Sequence, residues 1–127
     1  MKSFIISVIC IALLTGAGVF FVNYSDDTLH TLMSDLDDNI IIYVESEDWQ
    51  TAMLEFDKFK TDWEKYRSRA VFFLSTISLN EASYAIEKVE HYMKAEDVSN
   101  SSGELAYIKE LLSHLHFDES LSLGNIF

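Results

Sequence analysis

Nineteen consecutive residues, Phe4 to Val22, carry no charge and are interrupted only by Ser7, Thr15, Gly16 and Gly18. At ~1.5 Å of rise per residue a helix of this run reaches about 28 Å, close to the hydrocarbon thickness of a bilayer. The run therefore reads as one membrane span, and residues 1–24 as a membrane anchor. The competing reading is a cleaved signal peptide. Its apolar region is usually shorter, about 7 to 15 residues, and ends at a small-x-small site. Here the small pairs Thr15/Ala17 and Gly16/Gly18 lie inside the run, and bulky Val19, Phe20, Phe21 and Val22 follow them. Cys10 is preceded by Ile9, too large for lipoprotein cleavage.

The flanks suggest an orientation. Lys2 lies on the short side, and Asp26 and Asp27 follow on the long side. Positive charge is retained in the cytoplasm, so the expected topology is single-pass in a bacterial cell membrane. The amino terminus is then cytoplasmic and the C-terminal domain outside. Gly16 and Gly18 are two apart, which is not the spacing of a small-xxx-small dimer face.

All 21 acidic residues and all but one of the nine basic ones follow the run. So acidic a surface repels phosphates and argues against a nucleic-acid or anionic-lipid partner for the domain as a whole. The one cysteine lies within the run, which leaves no disulfide framework and no cysteine-based zinc site. The remaining hundred or so residues must then be held by a packed core alone. Proline is absent and glycine scarce, a composition that favours long helices.

Helical spacing resumes at Ser25. Leu29, Met33, Leu36, Ile40 and Tyr43 form one apolar stripe, with no breaker between it and the span. Asn39 to Val44 is rich in β-branched residues and admits a strand reading, but no second strand is available to pair with it. The pattern resets at Glu45-Ser46-Glu47-Asp48, where Asp48 is placed to cap the next helix. That helix has the seam Trp49, Ala52, Phe56, Phe59, Trp63, Tyr66, Ala70 and Phe73. Ser78-x-x-Glu81 has the form of a capping box, so a third helix is expected to start near Leu79, with Ala82, Ile86, Val89 and Met93 on its seam. Asp97 is expected to cap a fourth, with seam Val98, Ser101, Leu105, Ile108, Leu112 and Leu115. Ser101 with Glu104 is a competing box, and Ser99 to Gly103 are poor helix formers. Residues 25–117 thus form a helical extracytoplasmic domain. In the tail, residues 118–127, periodicity is lost, and Leu121, Leu123, Ile126 and Phe127 are expected to pack back on the bundle.

A faint repeat runs through this domain. Tyr43-x-x-x-Glu47-Asp48 recurs as Tyr92-x-x-x-Glu96-Asp97, and Glu55-Phe56-x-x-Phe59-Lys60 as Glu104-Leu105-x-x-Ile108-Lys109, both at an offset of 49. The expected fold is all-α: a transmembrane helix continuing into an antiparallel helical bundle or tandem helical hairpins.

The spacing of Glu47-Asp48-Trp49, Ala52, Trp63, Asp97, Glu104-Leu105, Lys109, Leu111-Leu112 and His114 resembles domain-of-unknown-function family 4363. So does the closing Leu121-x-Leu123-x-Asn125-Ile126. The resemblance covers essentially the whole chain. It implies a small bacterial protein with an amino-terminal span and a helical outer part, and hints at a membrane partner. It assigns no activity. Ser99-Asn100-Ser101-Ser102-Gly103 departs from the good helix formers that relatives place there, which puts local helix stability in question.

The motifs that carry chemistry are sparse. His114 and His116 point some 200° apart on a helix and do not chelate one ion together. Glu87 with His91, and Asp26 with His30, have metal-compatible spacing that is common on acidic helices. Asp35, Asp37 and Asp38 cluster without forming a calcium loop. The basic run Lys58, Lys60, Lys65, Arg67 and Arg69 is interleaved with Asp57, Asp62 and Glu64 and reads as a face of exchanged salt bridges. No residue is therefore nominated as catalytic, cofactor-binding or metal-binding, and no cofactor is expected. The expected function is a membrane-anchored, non-enzymatic interaction module. It would contact lipid through residues 4–22 and dock another membrane protein or itself. The alternative is an extracytoplasmic cation- or ligand-sensing domain.

Overall fold

The computed structural model describes the backbone of residues 1–126 and the side chains of residues 1–116. It is all helix, with no strand among the described residues. Helix α1 is a 44-residue rod, Lys2–Glu45, α-helical to Asp35, with one π turn at Leu36–Ile40 and a last α turn Ile41–Glu45. Three more helices follow: α2 (Trp49–Ala70), α3 (Thr76–Lys94) and α4 (Val98–Ile126). The chain runs up and down, and each helix packs on two neighbours: α1 on α2, α2 on α3, α3 on α4, and α4 back on α1.

The two halves of α1 have different environments. Up to Phe20 its apolar side chains are uncovered, and the segment is long and apolar enough to cross a membrane. From Phe21 onward one stripe is buried, through Leu29, Leu32, Leu36, Ile40 and Val44. The expected stripe passed through Met33 and Tyr43, which are only partly buried. Ahead of the π turn the stripe passes through Leu32, one position before Met33. The π turn accounts for the second difference: it adds one residue to a helical turn, so the buried positions advance by four at both steps from Leu36 to Val44, and Val44 takes the place of Tyr43.

The aromatic seam of α2 is the centre of the core. Phe56, Phe59, Trp63 and Tyr66 are the bulkiest fully buried side chains, and Trp63 Nε1 donates to Ser83 Oγ on α3 at 3.0 Å. Each buried large apolar side chain contributes about 1.5–3 kcal/mol. Opposite them lie Leu79, Ala82, Ile86, Val89 and Met93 of α3, and Leu105, Ile108, Leu112 and Leu115 of α4.

Three boundaries differ from expectation. Helix α2 ends at Ala70, so Phe73 sits in the turn and not on the seam. Helix α3 starts at Thr76, three residues before Leu79, and the Ser78-Glu81 box lies inside it. Ser75 is extended there, and its carbonyl accepts from Leu79 N–H at 3.1 Å. Buried Leu74 ends the tight turn and leaves the chain nothing further to span before α3 begins. Helix α4 remains helical to Ile126, so the tail is an extension of α4 in its backbone. The expected packing of Leu121, Leu123, Ile126 and Phe127 lies outside the described side chains.

The turns before α2 and α4 share one construction. Glu47 and Glu96 both take left-handed backbone, with φ of 58° and 54°. Asp48 N–H reaches back to the Tyr43 carbonyl at 2.9 Å, and Asp97 N–H to that of Tyr92 at 3.0 Å. Glu47 N–H bonds the Val44 carbonyl at 3.1 Å and Glu96 N–H that of Met93 at 3.0 Å. This is the paired closing of a Schellman motif, with a glutamate where glycine is usual. The aspartate that ends one helix then caps the next. Asp48 accepts from Thr51 N–H at 3.3 Å, and Asp97 from Asn100 N–H at 3.0 Å. The second cap also bonds the Asn100 side chain at 2.7 Å, which secures the start of the Ser99–Gly103 segment.

Candidate functional site at the junction of span and bundle

An open apolar feature lies where the rod enters the bundle. Ala17, Phe20, Phe21 and Tyr24 of α1, Arg69 of α2, and Phe72 and Phe73 of the following turn line a cleft of ≈ 550 Å³. Antiparallel packing brings these residues together, because the end of α2 falls beside the end of the apolar run. Phe73 stacks on Phe21 with ring centroids 4.3 Å apart and planes 10° from parallel. Tyr66 faces both Phe21, at 6.5 Å, and Tyr24, at 6.3 Å. Its hydroxyl shares a buried 2.7 Å hydrogen bond with Ser25 Oγ, which satisfies the first buried polar side chain after the apolar run. The Arg69 guanidinium lies 5.1 Å from the centre of the Tyr24 ring.

Directly beyond it, on the same α1–α2 face, is a shallower and more polar cleft of ≈ 240 Å³. It shares Tyr24 and Arg69 with the first and adds Asp27, Asp62 and Lys65. The face thus grades from aromatic to charged over a short length of the rod. A third groove, ≈ 420 Å³ between α3 and α4, is lined by Tyr84, Tyr107, Glu81, Lys88 and Glu104. Its polar groups are largely engaged with one another: Tyr107 donates to Glu81 at 2.8 Å and Lys88 pairs with Glu104 at 3.2 Å.

The residues singled out for chemistry are dispersed. No group of three or more His, Cys, Asp or Glu converges on one point among the described residues. Asp26 meets His116 of α4 across the bundle, so its i+4 neighbour His30 is not its partner. The Asp35, Asp37 and Asp38 cluster is spread among separate contacts. Asp37 pairs with Lys109, Asp38 accepts from Ser34 at 2.9 Å, and Asp35 from Asn39 at 3.5 Å. Partial burial, with Asp62 and Glu55 nearby, holds the Asp35 carboxyl above its ordinary range.

The basic run divides in two. Lys58 pairs with Glu55 at 3.4 Å, and Lys60 with Glu90 at 2.7 Å. Lys60, with help from Lys94, lowers the Glu90 carboxyl below its ordinary range. Arg67 donates to Asn80 Oδ1 at 2.6 Å, and its buried Nε has no partner among the described residues. Lys65 and Arg69 form no salt bridge among the described residues, and both are exposed. The expected face of exchanged salt bridges therefore covers only the far half of α2. The junction itself was not visible in the sequence. Its one signal was the apolar stretch Val71 to Leu74 at the end of a basic, amphipathic helix.

These features define a helical-bundle protein built onto an apolar rod long enough to cross a membrane. The chain belongs to the family described as domain of unknown function DUF4363, whose model matches residues 19–126. The matched region takes in the junction residues Phe20 to Tyr24 together with the whole bundle. No curated protein and no solved structure matches the chain.

Proposed function

We propose that the chain is a membrane-anchored, non-enzymatic interaction module whose bundle lies on the extracytoplasmic side of a bacterial cell membrane. One observation carries the reading: the uncovered apolar half of α1 and the half that forms the bundle core are one helix, with no loop between them. Such a rod couples any contact made in the lipid to the orientation of the bundle outside it. The partner this suits is a second membrane-spanning helix, from another protein or from a second copy, lying against the uncovered apolar half of α1.

The test is site-specific photocrosslinking from Leu14 in intact membranes, with mass spectrometry of the adducts. A discrete protein adduct or a dimer is expected; recovery of lipid adducts alone would count against the reading. Labelling of a cysteine placed at Ser99 by a membrane-impermeant maleimide in intact cells tests the orientation, and a label seen only after lysis would reverse it. The second reading, cation or ligand sensing, rests on the acidic surface as a whole. Calorimetry with Ca²⁺, Mg²⁺ and Zn²⁺ decides it, and affinity weaker than millimolar ends it.

A further inference from the structure

We propose that the turn between α2 and α3 is a second membrane contact, inserted into the interfacial layer of the bilayer that holds α1. It rests on the anchored reading above. Phe72 is 82% exposed and Ile77, in the first turn of α3, 80%. Val71 is exposed beside them. Side chains this apolar seldom stand together in water without a role. Their position along the rod says what covers them. Phe73, in the same turn, is stacked on Phe21, so the turn is level with the last residues of the charge-free run. Phe20, 76% exposed, continues the same apolar surface onto the span itself. A bilayer that covers α1 up to Val22 reaches the turn without any change in the bundle.

The charges agree with that occupant. Arg69 and Lys65 stand one helical turn apart on the exposed side of α2, Arg69 lining both the aromatic and the polar cleft and Lys65 the polar one, and neither has a carboxylate partner among the described residues. Aromatic rings at the interface with cationic side chains just outside them reproduce the polarity gradient of a lipid headgroup layer. Asp27 and Asp62 line the same upper cleft. The basic pair is therefore matched to phosphates close to the turn, while the acidic groups favour a position further into water. With two attachments, the span and the turn, the bundle has a fixed tilt on the membrane, which a single flexible tether does not provide.

The experiment uses the full chain with Cys10→Ser in vesicles of phosphatidylcholine and phosphatidylglycerol. Spin labels are placed singly at Leu14→Cys, Phe72→Cys and Leu54→Cys. Leu14 is in the uncovered span, and Leu54 is 59% exposed on α2, about 24 Å along the helix from its membrane end. Collision with oxygen, which concentrates in lipid, is compared with collision with a water-soluble nickel complex. The proposal expects the labels at 14 and 72 to favour oxygen by several-fold over the label at 54. A lipid-like label at 14 with a water-like label at 72 would overturn the second contact and leave the anchor standing. A label at 72 shielded from both reagents would show a protein covering the turn, and also overturn it. A water-like label at 14 would remove the anchor and the proposal together.

Discussion

The first hairpin, α1 with α2, and the second, α3 with α4, turn their corners in the same way but fill their interiors differently. At an offset of 49 residues every buried position from Val44 to Tyr66 has a buried counterpart: Val44 and Met93, Ala52 and Ser101, Phe56 and Leu105, Phe59 and Ile108, Trp63 and Leu112, Tyr66 and Leu115. Before the π turn the offset is 50, pairing Leu29 with Leu79, Leu32 with Ala82 and Leu36 with Ile86. The π turn is the extra residue. The comparison teaches that the two hairpins obey one packing scheme, and that the helix carrying the apolar run absorbs its additional residue locally without turning its core face away. The first hairpin carries the buried aromatic side chains, beside the junction; the second is aliphatic and contains serine in its seam.

The largest test uses deletion. Removing exposed Glu87 from the regular helix α3 rotates everything on one side of it by about 100°. That takes several buried side chains out of the core at ~1.5–3 kcal/mol each, enough to unfold a domain of ordinary stability. Removing exposed Asp38 takes the extra residue out of the π turn and should leave both flanking seams facing inward. The thermal transition of the full chain in detergent should disappear for the first deletion and survive for the second. Equal losses would mean the π turn is not the insertion.

Next come the interiors. Trp63→Ala should cost about 3–5 kcal/mol, and Leu112→Ala, its counterpart, about 2–5. The tryptophan should be the costlier by denaturant titration, because it also deserts Ser83. A larger cost at Leu112 would shift the centre of stability to the second hairpin.

The caps are a finer comparison. Asp97 holds the Asn100 backbone and side chain, whereas Asp48 makes one longer bond. Asp97→Ala should lower the melting temperature by roughly 3 to 8 °C, and Asp48→Ala by less. The Asn100 amides hold the Asp97 carboxyl below its ordinary value. A carboxyl lowered in the folded state stabilises above its unfolded pKa and loses that contribution as pH falls through the folded value. The Asp97→Ala deficit should therefore be complete at pH 7 and fade below about pH 4. A deficit unchanged at pH 3 would exclude the charge as its source.

At the turns themselves, Glu47→Gly and Glu96→Gly should each stabilise, by about 1 kcal/mol, since glycine takes left-handed backbone without the clash of a Cβ. Similar gains at both sites would support the equivalence of the turns. A loss at Glu47 alone would reveal a task for its side chain.

The turns and seams were legible because they rest on local rules. Tyr43-x-x-x-Glu47-Asp48 and Tyr92-x-x-x-Glu96-Asp97 marked both corners, and heptad spacing found Phe56, Phe59, Trp63 and Tyr66. The π turn was not legible, since a one-residue bulge is hidden by assuming a uniform period, and that assumption misplaced Tyr43. Phe73 fitted the seam of α2 by spacing, but packing against Phe21 drew it into the turn. The junction needed tertiary structure altogether: nothing local indicates that residues 69–73 lie beside residues 17–24.

The smallest expected effect lies at Ser101. Its hydroxyl is fully buried and has no hydrogen-bond partner among the described residues, while its counterpart in the first hairpin is Ala52. An unsatisfied buried hydroxyl costs about 1–3 kcal/mol where no water reaches it. Serine is also a poorer helix former than alanine, by a few tenths of a kcal/mol. Ser101→Ala should thus raise stability, by up to about 1 kcal/mol after the loss of packed volume around the missing oxygen. The measurement is the midpoint of denaturant unfolding, with Ala52→Ser as the reciprocal change, expected to destabilise. If both substitutions destabilise, Ser101 has a bound water or another partner, and the serine is a feature that separates the hairpins by function, not packing.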